Sequence, residues 1–284
     1  MIVLCLSLIL VVSSYAQEDP VVKEIVGRNK LFRRATSLAI GFDNSIYVVD
    51  AGNSKVIALN ESGNVLYESS QGGSDGELRW PVDVAISGSG GVYVVDAGNK
   101  RIVEYSRLLE WRGEFVIRDA AGEVLEPRMI ASNIEGDLFI YENSNNQIIK
   151  YDRFFTAVGR IGGQVGGILT APVSLDCISD DLYWIDDATQ KAYTCDNNLS
   201  NARLWQAGFP STDLYQLTGV GQTWFAVSDQ GIVRTDQGNF SVVALEVIDI
   251  ASQFAKDLRL EARSSNDLYI LDSRSGRILL LHWP

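Results

Sequence analysis

Five acids recur at nearly even spacing along this chain and are its first candidates for chemistry: Asp50, Asp96, Glu142, Asp186 and Asp272, with Ser228 in the one remaining place. Around a common axis they would make a ring of carboxylates. Catalysis needs such an acid once, whereas this one recurs in every unit but one, just ahead of turn residues. Asp and Asn side chains bond nearby backbone N–H groups in turns, so the acids are expected to hold their own turns. Other reactive types are sparse. The chain has one histidine, His282, and three cysteines, Cys5, Cys177 and Cys195. A zinc site draws on several His and Cys, so zinc is not expected, and His282 reads as an ordinary residue beside Trp283. The G-x-S-x-G letters at Gly72–Gly76 fall in a Gly-rich loop between units, not on a strand-to-helix elbow, and a Ser-His-Asp triad would have to use His282.

The elements that carry these acids are strands. Ser45–Ile57 (SIYVVDAGNSKVI) returns as Gly91–Val103 (GVYVVDAGNKRIV), with YVVDAGN identical in both. The aromatic that leads the motif falls at 47, 93, 139, 183, 225 and 269, at intervals of 46, 46, 44, 42 and 44. It is expected to pack between units. The second unit shows the pattern: Pro81–Ile86, Gly91–Val95, Arg101–Tyr105 and Trp111–Val116 are four short strands joined by hairpins. Four strands per repeat of ~40–50 residues predicts an all-β, six-bladed β-propeller of four-stranded antiparallel blades. The blades fall at about 34–80, 81–126, 127–171, 172–213, 214–257 and 258–284. The last has three strands of its own. Val21–Val26 reads as an extra strand, so blade 6 is expected to be 258–284 plus 21–27, with Val21–Val26 against Arg277–Leu281 removing an open sheet edge.

An inner strand opening at Pro, a Gly turn and then Y-V-V-D-A-G-N-x-R/K-I resembles the NHL repeat, strongly in units one and two and weakly in four and five. The resemblance implies a six-bladed propeller; members of that family serve as protein-binding platforms, nucleic-acid-binding modules and enzymes, so it leaves function open. Its amidating-lyase relatives rely on histidine-bound metal, and this chain lacks those histidines. In propeller lactonases, acidic and amide side chains hold an ion over the central channel, and calcium needs only oxygen ligands. Here the candidate metal carboxylates are Asp83 and Asp176, with Ser37, Ser174 and Gln216 near the starts of inner strands. The favoured reading of all five is hydrogen-bonded structural groups, with no cofactor. Arg34, Arg79, Trp80, Arg128 and Arg259 fall at the same strand ends and form the candidate binding set. Several Arg and a Trp around a channel mouth suit an acidic or aromatic partner.

With 24 basic and 36 acidic residues, a formal charge of −12 argues against nucleic acid and anionic membrane surfaces, which need a basic footprint. Met1–Ala16 (MIVLCLSLILVVSSYA) reads as a cleaved secretory signal, residues 1–16, ahead of a single domain at 17–284. The expected location is secreted or periplasmic, with no membrane insertion after cleavage and a monomeric state. Cys177 and Cys195 end the first and third strands of one unit. Those strands lie ~9.6 Å apart, beyond disulfide reach, so two free, buried thiols are expected. The expectation for function is a non-catalytic binding module for a protein, peptide or glycan; the alternative is a calcium-dependent, lactonase-like hydrolase working at the central channel.

Overall fold

The structure, a computed structural model, describes residues 19–28, 31–163, 169–205, 209, 213–236 and 239–284. The signal-sequence expectation, residues 1–16, lies outside the described residues. Among them, no helix is long and apolar enough to cross a membrane.

Six four-stranded antiparallel sheets carry the chain. The innermost strands are Ala35–Ile40, Pro81–Ile86, Pro127–Ser132, Pro172–Ile178, Leu214–Val220 and Leu258–Ala262. They neighbour one another in chain order, and the sixth neighbours the first, which closes a six-bladed propeller around a channel. Blade 6 is completed as expected: Val21–Val26 pairs antiparallel with Arg277–His282. Glu24 then accepts from Arg277 Nε at 2.7 Å.

Burial explains the strand composition. The second strands, such as Ile46–Asp50 and Val92–Asp96, are buried along their whole length. Each sheet has another sheet on both faces, so these strands read as continuous apolar runs rather than alternating ones. The repeated aromatics Tyr47, Tyr93, Phe139, Tyr183, Phe225 and Tyr269 are all buried. Each joins an apolar cluster formed with the neighbouring blade, as Tyr47 does with Val84, Val94 and Val103.

In blades 1 to 5 the register of the inner strand shifts near its start, a β-bulge that leaves out Thr36, Val82, Arg128, Val173 or Tyr215. Blade 6 pairs without a shift. Cys177 and Cys195 are both free, as expected, but only Cys195 is buried. Cys177 is a correction: its strand lines the channel, so the side chain keeps some exposure.

Candidate functional site

The channel is a cavity of about 490 Å³ lined by all six inner strands. Register sorts its lining into levels. Ser37, Asp83, Met129, Ser174, Gln216 and Arg259 stand opposite the residue two after each repeated aromatic. Ala39, Ala85, Ala131, Asp176, Thr218 and Glu261 stand opposite the aromatic itself. The second level is apolar on blades 1 to 3 and polar on blades 4 to 6.

Three channel acids therefore sit on alternate blades, and each reaches the next one. Asp83 of blade 2 accepts from Ser37 Oγ of blade 1 at 2.6 Å and from Ile130 N of blade 3 at 2.9 Å. Asp176 of blade 4 accepts from the Thr218 hydroxyl of blade 5, and Glu261 of blade 6 from the Ile40 N–H of blade 1. Burial pushes Asp83 up to about 6, against the pull of these donors. Asp176 rises to about 7, through burial first and then the charge of Asp83. Glu261 is raised well above the usual carboxylate range by burial and by the charges of Asp176 and Asp83. Burial also lowers Arg259, which the Asp83 charge opposes.

Both Asp83 oxygens are taken up by donors, Oδ1 by Ser37 Oγ and Val84 N and Oδ2 by Ile130 N. Asp176 Oδ1 accepts from Cys177 N at 2.8 Å. Among the described residues, no three His, Cys, Asp or Glu side chains converge as ligands. The carboxylates act as straps between blades.

The repeated outer acids are likewise committed to structure. Asp50 accepts from Arg33 N at 3.0 Å, Arg34 N at 2.8 Å and Asn53 Nδ2 at 2.7 Å. Asp96 takes Arg79 N at 2.8 Å, Asn99 Nδ2 at 2.7 Å and the buried Arg101 Nε at 2.9 Å. Burial works against ionisation of Asp186, but Thr170 and Ala171 donors outweigh it and hold the carboxyl below its usual range. Each acid thus clamps its own turn, the loop leading into its blade, or both.

That loop carries the rest of the candidate binding set. Arg34 and Trp80 come together across blades 1 and 2, with the guanidinium 5.1 Å from the ring centroid. Trp80 is 47% exposed and adopts φ 51°, a left-handed conformation uncommon for a bulky residue. Its N–H donates to Ser54 Oγ at 3.3 Å, and Arg79 O accepts from Gly98 N at 2.9 Å. Arg79 is exposed beside it. Arg128 is exposed on blade 3 and pairs with Glu126 at 3.6 Å. Arg259 lies deeper, in the channel at the level of Asp83, with Nη1 donating to Leu258 O at 2.8 Å. Glu261 escaped the sequence reading. Its signal was available: like Asp176 opposite Tyr183, it stands opposite its blade's repeated aromatic, Tyr269.

No curated protein matches the chain. Among solved structures it is similar to a virginiamycin B lyase from Staphylococcus aureus, at 15% identity and TM-score 0.61, covering 87% of this chain and 80% of that one. It is also similar to a gluconolactonase from Xanthomonas campestris, at 13% identity and TM-score 0.62, covering 94% and 95%. The RRP9 WD40 repeats align at 11% identity and TM-score 0.58, covering 94% and 99%. At these identities the likeness is one of fold, shared by enzymes and by repeat proteins of another kind. The NHL repeat family matches residues 78–105, the second blade's YVVDAGN unit with the rim loop before it. The chain is therefore a six-bladed β-propeller of four-stranded blades, with a match to the NHL repeat in its second blade.

Proposed function

We propose that this propeller is a non-catalytic binding module, secreted or periplasmic, that engages a protein, peptide or glycan at the face where its inner strands begin. One observation carries the reading: the Arg34 guanidinium lies over the ring of a half-exposed Trp80, on the residues just ahead of the first two inner strands. The six-fold repeat supplies an internal control. The residue at this place, next but one before the bulge or its equivalent, is Arg34, Trp80, Glu126, Ala171, Asp213 and Asp257. Groups needed for folding recur around the ring, as the turn acids do; the Arg–Trp pair occurs once. Arg and Trp are enriched among residues that dominate binding energy. The channel acids, by contrast, are occupied in joining blades.

Panning displayed peptide and glycan libraries against the full chain and an Arg34→Ala/Trp80→Ala variant tests this. Ligands enriched on the wild type are expected to lose the variant, whose folding is checked by circular dichroism. Equal enrichment on both proteins would refute the mouth as the binding face.

A further inference from the structure

We infer that a cleft between blades 1 and 2, on the opposite face where the inner strands end, binds a neutral pyranose unit of a glycan, its ring against Phe42 and its hydroxyls between Asp43 and Arg107. This site is separate from the Arg34–Trp80 pair and does not rest on it.

The cleft has a volume of about 680 Å³ and is lined by the turns that follow the first two inner strands and by the blade 2 hairpin at Ser106 and Arg107. Small-ligand sites fall at roughly 300–1,000 Å³. The repeat shows why it is open here. Five residues before the repeated aromatic stand Phe42 on blade 1, Gly88 on blade 2 and Ile134 on blade 3. Gly88 lets the turns of blades 2 and 3 meet: its N–H donates to Asn133 O at 3.3 Å, and a Cβ there would lie 1.8 Å from Ile134 O. A phenyl ring at that place on blade 1 holds the corresponding turns apart. The next hairpin adds to the difference. Phe155 of blade 3 packs edge-on against Tyr93 of blade 2, with centroids 6.1 Å apart. Its counterpart 46 residues earlier is the shorter Leu109, beside Tyr47.

The lining points to the ligand. Phe42 is 69% exposed, and Asp43 and Arg107 are exposed in the same cleft. Among the described residues, neither Asp43 nor Arg107 takes part in an ion pair. Both are placed by backbone contacts. Asp43 Oδ1 accepts from Ser45 N at 3.1 Å, and the buried Tyr47 hydroxyl donates to Arg107 O at 2.8 Å. Burial and then the Asp43 charge raise that hydroxyl to about 12, while Arg107 pulls it down, so acid and base face one floor. Arg112 also lines the cleft but pairs with Glu110 at 3.8 Å. Glu104 is taken up by the Tyr93 hydroxyl on the blade 3 side. What remains is an aromatic face, one acceptor and one donor fork. A sulfate or phosphate would meet the Asp43 charge, and a hydrocarbon would leave both charged groups without partners. Exposed charges gain little from ion pairs, so a zwitterion is poorly selected. A pyranose offers a flat C–H face to the ring and adjacent hydroxyls that both donate and accept.

The test uses isothermal titration calorimetry of the full chain with neutral trisaccharides of glucose, mannose and N-acetylglucosamine, and with free tyrosine as a zwitterion carrying a flat ring. At least one trisaccharide is expected to bind in the millimolar range or tighter, with an affinity unmoved by salt, since a neutral ligand has no charge to screen. Phe42→Ala should weaken it by roughly tenfold. Arg107→Lys should weaken it as well, because the charge is kept and the fork is lost. Arg34→Ala with Trp80→Ala should leave it unchanged, which separates this site from the other face. Phe42 and Arg107 are exposed, so circular dichroism and melting of their variants are expected to match the wild type. If no trisaccharide binds, or if Phe42→Ala leaves the affinity unmoved, the inference is overturned. If tyrosine alone binds, and salt weakens it, the sugar assignment falls and the cleft is a zwitterion site.

Discussion

Asp96 shows how much one repeated side chain carries. It is fully buried and bonded to the Arg79 backbone, the Asn99 amide and the Arg101 guanidinium. Arg101, itself buried, also reaches Glu114 at 2.6 Å and the carbonyls of Ser74 and Glu77. Removing one partner of a buried ion pair strands the other, at a cost of about 3–5 kcal/mol. Asp96→Ala is expected to fall in that range by urea denaturation. Glu142→Gln should cost only about 1–2 kcal/mol, because its hydrogen bonds are to the turn N–H groups of Ser144 and Asn145 and one carbonyl oxygen is retained. Equal losses would show that the ion pair adds nothing to the turn. The turn role of these acids was legible because it repeats. Their second set of donors was not: Arg33 and Arg34 lie 17 and 16 residues upstream of Asp50, and only tertiary closure brings them back. Glu261 was missed for a related reason. In blade 4 the bulge adds a residue between Pro172 and Asp176; blade 6 has no bulge, so counting from the strand start puts Glu261 one place out.

At the scale of the element, the glycine of the D-A-G-N turn links fold to site. A Cβ on Gly98 would lie 2.4 Å from Arg79 O and 2.8 Å from Arg79 Cγ, so only glycine lets the rim loop seat against the turn. Gly98→Ala is therefore expected both to lower the melting temperature and to weaken binding at the mouth; a variant that melts lower yet binds normally would separate the turn from the rim. The closing strand is the other element with a clear signature. Val21–Val26 covers the edge of Arg277–His282, and deleting residues 19–27 leaves that edge unpaired. Loss of a whole outer strand should cost several kcal/mol, or about 10 °C or more at roughly 2–4 °C per kcal/mol for a domain of this size. Scanning calorimetry checks it, and an unchanged melting point would mean that the ring holds without its strand. This closure was legible because unit six has three strands and the N-terminal region one to spare. The left-handed Trp80 was not, since no turn residue marks it.

For the whole molecule, the channel acids tie stability to pH in an unusual direction. Asp83, Asp176 and Glu261 join blades 2 to 3, 4 to 5 and 6 to 1. What faces them is Arg259 on blade 6, Ser37 on blade 1, Thr218 on blade 5 and the backbone N–H groups of Ile130 and Ile40. Blades 1, 3 and 5 put no acid or base at these two levels of the channel, where one cation, Arg259, serves three acids. In the unfolded chain these carboxyls titrate near ~4, while Asp83 titrates near about 6 and Asp176 near about 7 in the folded ring. The folded state thus holds protons that the unfolded state has released. Their contribution is fully present below the unfolded value and is lost as pH rises through about 6 to about 7. Carboxylates held below their usual range, Asp186 and Asp196 among them, act in the opposite sense, so the raw melting curve mixes the two. The difference between wild type and Asp176→Asn separates them. The amide cannot ionise, so the variant should gain on the wild type as pH climbs from the acid side to neutrality, and hold that gain above it. Melting temperatures of both proteins across that interval provide the measurement. A gap that stays constant with pH would mean that Asp176 does not take up its proton on folding, and that the blades are joined by fixed charges rather than by shared protons.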